Sequence, residues 1–161
     1  MSKMQHKLAV WVLLASTAIS GVALAGIDEG IEYVVINPPV LTNTANKIEV
    51  IEAFSYACPH CFQFEPYLAT WKKQLPTNVE LVRFPVIFPK WPESEVVARA
   101  FYTAEALGIL EKIHVPLFEA LHNQKRDLYS DNKMAAFFTE HGVSKKVFLD
   151  TFRSFSVDSK M

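Results

Sequence analysis

The chain has 161 residues, 50% hydrophobic, 20% charged and 12% aromatic, which is enough apolar material for one core and too little length for two ordinary domains. That density of Phe, Val, Leu and Ile excludes intrinsic disorder. A formal net charge of −1 leaves no basic field to hold nucleic acid, and two cysteines are too few for a disulfide-stapled scaffold.

The amino end is expected to lie outside the fold. Lys3 and Lys7 precede an uncharged, mostly apolar run that ends in Ala23-Leu24-Ala25. A short positive region, an apolar stretch and small residues at −3 and −1 make a secretory signal with a cut after Ala25. The rival reading is a retained membrane anchor, since residues 8–27 are free of charge. Ser16, Thr17, Ser20 and Gly21 weaken the second half of that run and favour cleavage. Removal of residues 1–25 leaves 14 basic and 17 acidic side chains, a net charge of −3. Export places both cysteines where disulfides persist.

In chain order, residues 32–36 read as a short strand that Asn37-Pro38-Pro39 breaks. Residues 47–55 read as a strand, rich in β-branched and aromatic side chains and ending at Cys-Pro punctuation. Residues 58–75 read as a helix with Pro59 in its first turn, where a missing N–H is harmless, and with a kink at Pro66. Residues 79–88 form a second strand. Strand, helix and strand make a βαβ unit, expected to be right-handed with parallel strands. After Pro89 the pattern turns helical at 93–107, 110–122, 131–141 and 144–155, with stops at Gly108 and Gly142 and a start or bend at Pro116.

The chemistry concentrates at Cys58-Pro59-His60-Cys61. Haem attachment needs a His directly after the second Cys, and Phe62 stands there. Structural zinc needs four ligands, and no second cysteine pair exists. A structural disulfide would close a loop of two intervening residues, which stabilises little. A redox dithiol at a strand-to-helix junction is the favoured reading, ahead of a metal site and an inert disulfide. It calls for no cofactor and no metal. At the helix start the dipole favours a Cys58 thiolate by roughly 0.3–1 kcal/mol, up to about 2 in good geometry. A more acidic thiol needs direct N–H contacts and a His60 side chain near the sulfur. Stabilising the thiolate stabilises the reduced form, so His60 argues for donating disulfides. Cys61, one turn in, is expected to be more buried and to act as the resolving thiol.

The segment Ile51-Glu52-Ala53-Phe54-Ser55-Tyr56-Ala57-Cys58-Pro59-His60-Cys61-Phe62-Gln63-Phe64-Glu65 closely resembles the DsbA family of periplasmic thiol:disulfide oxidoreductases. Val115-Pro116-Leu117-Phe118-Glu119 resembles that family's helical insertion. The resemblance implies an α/β, thioredoxin-like fold with an inserted α-helical domain. The layout is then a signal at 1–25, the amino-terminal part of the thioredoxin-like domain with its CPHC site at 26–90, and the helical insertion at 91–157. It also implies a Cys58–Cys61 redox disulfide, reduced or unfolded exported proteins as substrates, and a membrane-bound, quinone-linked protein as reoxidant. In the family a cis-proline loop and further strands follow the helices; here residues 158–161 end the chain, so the C-terminal strands are expected to be missing.

Glu52 alternates with Ile48, Val50 and Phe54 and should face the core, where a carboxylate is costly unless neutral or paired. The resemblance implies a buried acid here that accepts the Cys61 proton. The plainer alternative is a strand-end glutamate reaching solvent. Arg83, on the next strand, is a potential partner for Glu52, but a snorkelling surface arginine is the preferred reading. Phe62, Phe64 and Trp71 are expected in the core. His114, His122 and His141 show no ligand spacing and receive no role. Rival functions are an isomerase or reductase, or an inactive fragment that only binds unfolded chains.

Overall fold

A computed structural model describes residues 26–42, 44 and 46–161. The expected signal segment and the expected cut after Ala25 lie outside the described residues. The chain divides into two units, one ending at Leu41 and one beginning at Thr42. Among the described residues, no helix is long and apolar enough to cross a membrane.

In the first unit the expected strand at 32–36 does not form. The chain turns instead at Gly30, whose N–H donates to the Tyr33 carbonyl at 2.7 Å, and among the described residues of this unit the ladder contact is an isolated bridge between Glu29 and Tyr33. Gly30 has φ +87°, a conformation that costs a residue without a Cβ nothing. Ile31, Val34 and Ile36 are exposed. An apolar, β-branched run becomes a strand only beside a partner that takes its N–H and C=O groups.

The second unit opens with β1 (Ile48–Phe54), α1 (Pro59–Lys72) and β2 (Val79–Pro85). The two strands pair in parallel from Ile48 opposite Val79 to Phe54 opposite Pro85, as the βαβ pattern requires. Helix α1 runs through Pro66 and starts with Cys58 as its N-cap, in extended conformation. The sheet among the described residues has two strands.

Five helices follow: α2 (Glu93–Ala106), α3 (Leu110–His122), α4 (Asp131–Glu140), α5 (Lys145–Phe152) and α6 (Phe155–Asp158). Gly108 and Gly142 take positive φ after α2 and α4, which is why the apolar period stops there. The predicted helix at 144–155 is two helices. Ser154 accepts from the Val157 N–H and starts α6, so its side chain competes with continuation of α5.

The core sits between these helices and the carboxyl end of β1. Phe118 of α3 is its hub, with ring centroids 4.7 Å from Tyr56, 5.9 Å from Phe54 and 5.9 Å from Phe62. Phe62 joins this core as expected, whereas Phe64 and Trp71 do not, being 52% and 37% exposed. With Tyr67 they form the face of α1 turned along an apolar groove that Val50, Ile51 and Leu81 also line. Spacing puts Phe64, Tyr67 and Trp71 on one helix face, but only neighbouring elements decide whether that face is covered.

Candidate active site

β1 ends in a turn that delivers the dithiol. The Cys58 N–H donates to the Ser55 carbonyl at 3.0 Å, and the Ser55 hydroxyl accepts from the Ala57 N–H at 3.3 Å. A serine that bonds its own backbone two residues on favours such a turn. The turn places Cys58 at the N-cap and exposed Pro59 at the first helical position, where no N–H is lost. Exposed His60 follows, then Cys61, which packs against the aromatic core.

Both cysteines are free thiols, and their environments push them apart. Burial raises the Cys58 thiol, but the Cys61 N–H, the Cys61 thiol and the His60 N–H face its sulfur and more than offset this, so it lies below the ordinary value. The sulfur closes no cap hydrogen bond of ordinary geometry, so these N–H contacts are loose and electrostatic. Burial also raises Cys61. The Ser55 backbone opposes that, but the neighbouring Cys58 and the Glu52 charge reinforce it, and Cys61 lies above the ordinary value. One acidic, accessible thiol beside one basic, core-packed thiol is the division that thiol–disulfide exchange uses. The contact that His60 makes to Cys58 here runs through its backbone N–H.

Beneath the dithiol lies a buried charged cluster. Glu52 and Arg83 are register partners on β1 and β2. Arg83 Nε donates to Glu52 Oε2 at 2.6 Å, and its second guanidinium nitrogen reaches Glu65 Oε2 at 3.2 Å. The snorkelling arginine expected from the sequence is thereby corrected: the Arg83 side chain is 13% exposed and held by two carboxylates. The register puts Glu52 opposite Arg83, and α1 lays Glu65 over the same face, so the guanidinium stays inside. Glu52 likewise does not reach freely into solvent; its side chain is 13% exposed.

Two histidines without an assigned role belong to this neighbourhood. His114 Nε2 lies 3.1 Å from Glu65 Oε1, and its Nδ1 lies 2.7 Å from the Tyr56 hydroxyl. His122 Nε2 donates to the Tyr56 carbonyl at 2.7 Å, with its ring stacked on Phe62 at an interplanar angle of 10°. Helix α3 thus holds Tyr56, two residues before Cys58, by side chain and backbone. Burial raises the Glu65 carboxyl, but the His114 hydrogen bond and the charges of His114 and Arg83 outweigh it and hold the group below its ordinary value. Glu65, His114 and His122 carry no local signal, because their partners lie 18 to 66 positions away. Among the described residues, no group of three or more His, Cys, Asp or Glu side chains is arranged to hold a metal ion.

A Cys-x-x-Cys pair at the junction of a parallel strand and a helix, with helices alongside, defines a thioredoxin-like dithiol protein. No protein-family model matches the chain. The thiol:disulfide interchange protein DsbA of Pseudomonas aeruginosa is 37% identical over 159 residues, covering 97% of this chain and 74% of that protein. DsbA of Azotobacter vinelandii is 36% identical over 164 residues, covering 97% and 75%. The crystal structure of Pseudomonas aeruginosa DsbA superposes with a TM-score of 0.70 at 37% identity, covering 77% of this chain and 64% of that one. DsbA from Xylella fastidiosa gives 0.67 at 31% identity, covering 72% and 63%. The chain belongs to the DsbA family of thiol:disulfide oxidoreductases, with their thioredoxin-like fold. It spans about three quarters of these curated relatives and just under two thirds of the solved structures.

Proposed function

We propose that this chain is an exported, periplasmic oxidoreductase that donates its Cys58–Cys61 disulfide to reduced or unfolded exported proteins. The observation that carries the reading is the opposed acidity of two thiols at the start of α1, Cys58 more acidic than an ordinary thiol and Cys61 less. A substrate thiolate attacks Cys58 Sγ, the Cys58–Cys61 bond breaks, and Cys61 leaves as a thiolate that takes up a proton. A second substrate thiolate attacks the substrate sulfur of the mixed disulfide, and Cys58 leaves as a stabilised thiolate. The substrate has lost two electrons and the protein has gained them. Reoxidation reverses the sense: Cys58 attacks the disulfide of a membrane-bound, quinone-linked partner, Cys61 gives up its proton and resolves the mixed disulfide. Glu52, in electrostatic reach of Cys61, is the group that takes that proton, through water. His60 and Pro59 set the geometry and the field at Cys58.

The test is oxidation of a reduced peptide by the disulfide form, with the potential measured against glutathione. Stoichiometric loss of peptide thiols at a potential well above that of thioredoxin is expected. A potential near thioredoxin's would make the protein a reductase or isomerase instead. The apolar groove at Ile51, Phe64, Tyr67 and Trp71 favours a second reading, retention of unfolded chains without chemistry. Peptide binding with no thiol loss would select it.

A further inference from the structure

His114 is 3% exposed, and both of its ring nitrogens are engaged. A carboxylate only accepts, so Nε2 carries the hydrogen toward Glu65, whether the ring is neutral or charged, while Nδ1 shares a hydrogen bond with the Tyr56 hydroxyl. Glu65 offers its other oxygen to Arg83 at 3.2 Å, while Arg83 holds Glu52 at 2.6 Å. One guanidinium serves two carboxylates, and its shorter contact is to the one that acts on Cys61.

We propose that His114 is a positioning residue of the dithiol site: by donating to Glu65 it leaves Arg83 committed to Glu52, and so sets the charge that Glu52 presents to the resolving thiol. The inference rests on the reading of Cys61 as that thiol. A buried carboxylate that loses one donor draws harder on those that remain, because its desolvation has no other compensation. Without the imidazole, Arg83 is the hydrogen-bond partner left to Glu65 among the described residues. It shifts toward Glu65, and Glu52 is less neutralised. More negative charge beside Cys61 disfavours its thiolate and slows its attack on a mixed disulfide. Cys58 answers instead to the backbone N–H groups at the start of α1 and to Cys61 itself. A general loosening of the fold would disturb both thiols; loss of this contact strikes Cys61 first.

The test follows Cys61 alone, in the full chain carrying Cys58→Ser, by alkylation rate against pH. His114→Leu is expected to cut Cys61 alkylation at neutral pH about three- to tenfold through a raised pKa. His114→Gln, whose amide can still donate to Glu65, should recover most of that loss. Glu65→Gln should act in the opposite direction and raise Cys61 reactivity, since it removes the competitor for Arg83. With Cys58 restored, His114→Leu should slow resolution of a mixed disulfide by a similar factor. An unchanged Cys61 titration in a folded His114→Leu protein overturns the proposal. If that variant does not fold, Glu65→Gln decides: a fall or no change in Cys61 reactivity overturns it. Failure of the unmutated protein to oxidise a reduced peptide would sink the functional reading as well, which separates the two failures.

Discussion

Arg83 and Glu52 face each other across the two strands of the sheet, 2.6 Å apart, at the level where β1 is about to deliver the dithiol. The pair is nearly closed to water, and Glu65 shares the same guanidinium. Burying three charges is tolerable only because each is met, so removing the shared one has a larger effect than removing a surface ion pair.

Arg83→Met should therefore destabilise the chain by about 3–5 kcal/mol, since it takes the guanidinium from Glu52 and leaves Glu65 with His114 alone. Adding Glu52→Gln should return part of that loss. Urea denaturation of the single and double variants checks both; equal stabilities for Arg83→Met and the parent would mean that the cluster is solvated.

The depressed Glu65 carboxyl makes stability depend on acid. A group whose folded pKa lies below its unfolded one contributes stability that is complete above the unfolded value and lost as pH falls through the folded value. Stability should decline below about pH 4, and Glu65→Gln, though less stable near neutrality, should decline less steeply there. Melting curves across acidic pH give the comparison, and parallel declines in the two proteins would contradict it.

The lowered Cys58 thiol follows the same sign. Its ionisation stabilises the reduced protein fully above the ordinary thiol value and progressively less as pH falls through the folded one. At about pH 6, iodoacetamide should label Cys58 ahead of Cys61. Peptide mapping that finds Cys61 labelled first would reverse the assignment of the two thiols.

His60→Ser should leave the fold intact, because the side chain is exposed, yet make the disulfide less oxidising. A fall of roughly 10–30 mV against glutathione is expected, where 30 mV corresponds to about 1.4 kcal/mol for two electrons. An unchanged potential would leave His60 contributing only its backbone N–H.

Phe118→Ala should cost about 3–5 kcal/mol, since a fully buried ring would leave a cavity among Phe54, Tyr56, Phe62 and His114. The same cavity leaves α3 tied to the turn that carries Cys58 through the hydrogen bonds of His114 and His122. Thermal melts check the stability, and a loss under about 1 kcal/mol would show that the hub collapses without cost.

The local sequence by itself determined the parts whose causes lie close along the chain. The βαβ unit was legible from an apolar run, a proline at a helix start and a second run. The bounds of α3 were legible from its apolar period, and Cys58 and Cys61 from their spacing and the family resemblance. Each of these depends on neighbours within one or two turns, so a window of residues contains its own explanation.

Tertiary structure decided the rest. Residues 32–36 are mostly apolar and β-branched like a strand and, among the described residues, have no ladder to join. Phe64 and Trp71 look like core residues but stay partly exposed on a helix face that, among the described residues, only borders an open groove. Arg83 looks like a surface cation until the register sets it opposite Glu52 and the packing of α1 adds Glu65. His114 and His122, without a motif, reach Tyr56 across 58 and 66 positions. Burial and partnership are properties of elements packed together, and a side chain's charge, acidity and exposure follow from them, so they stay invisible until the chain has folded.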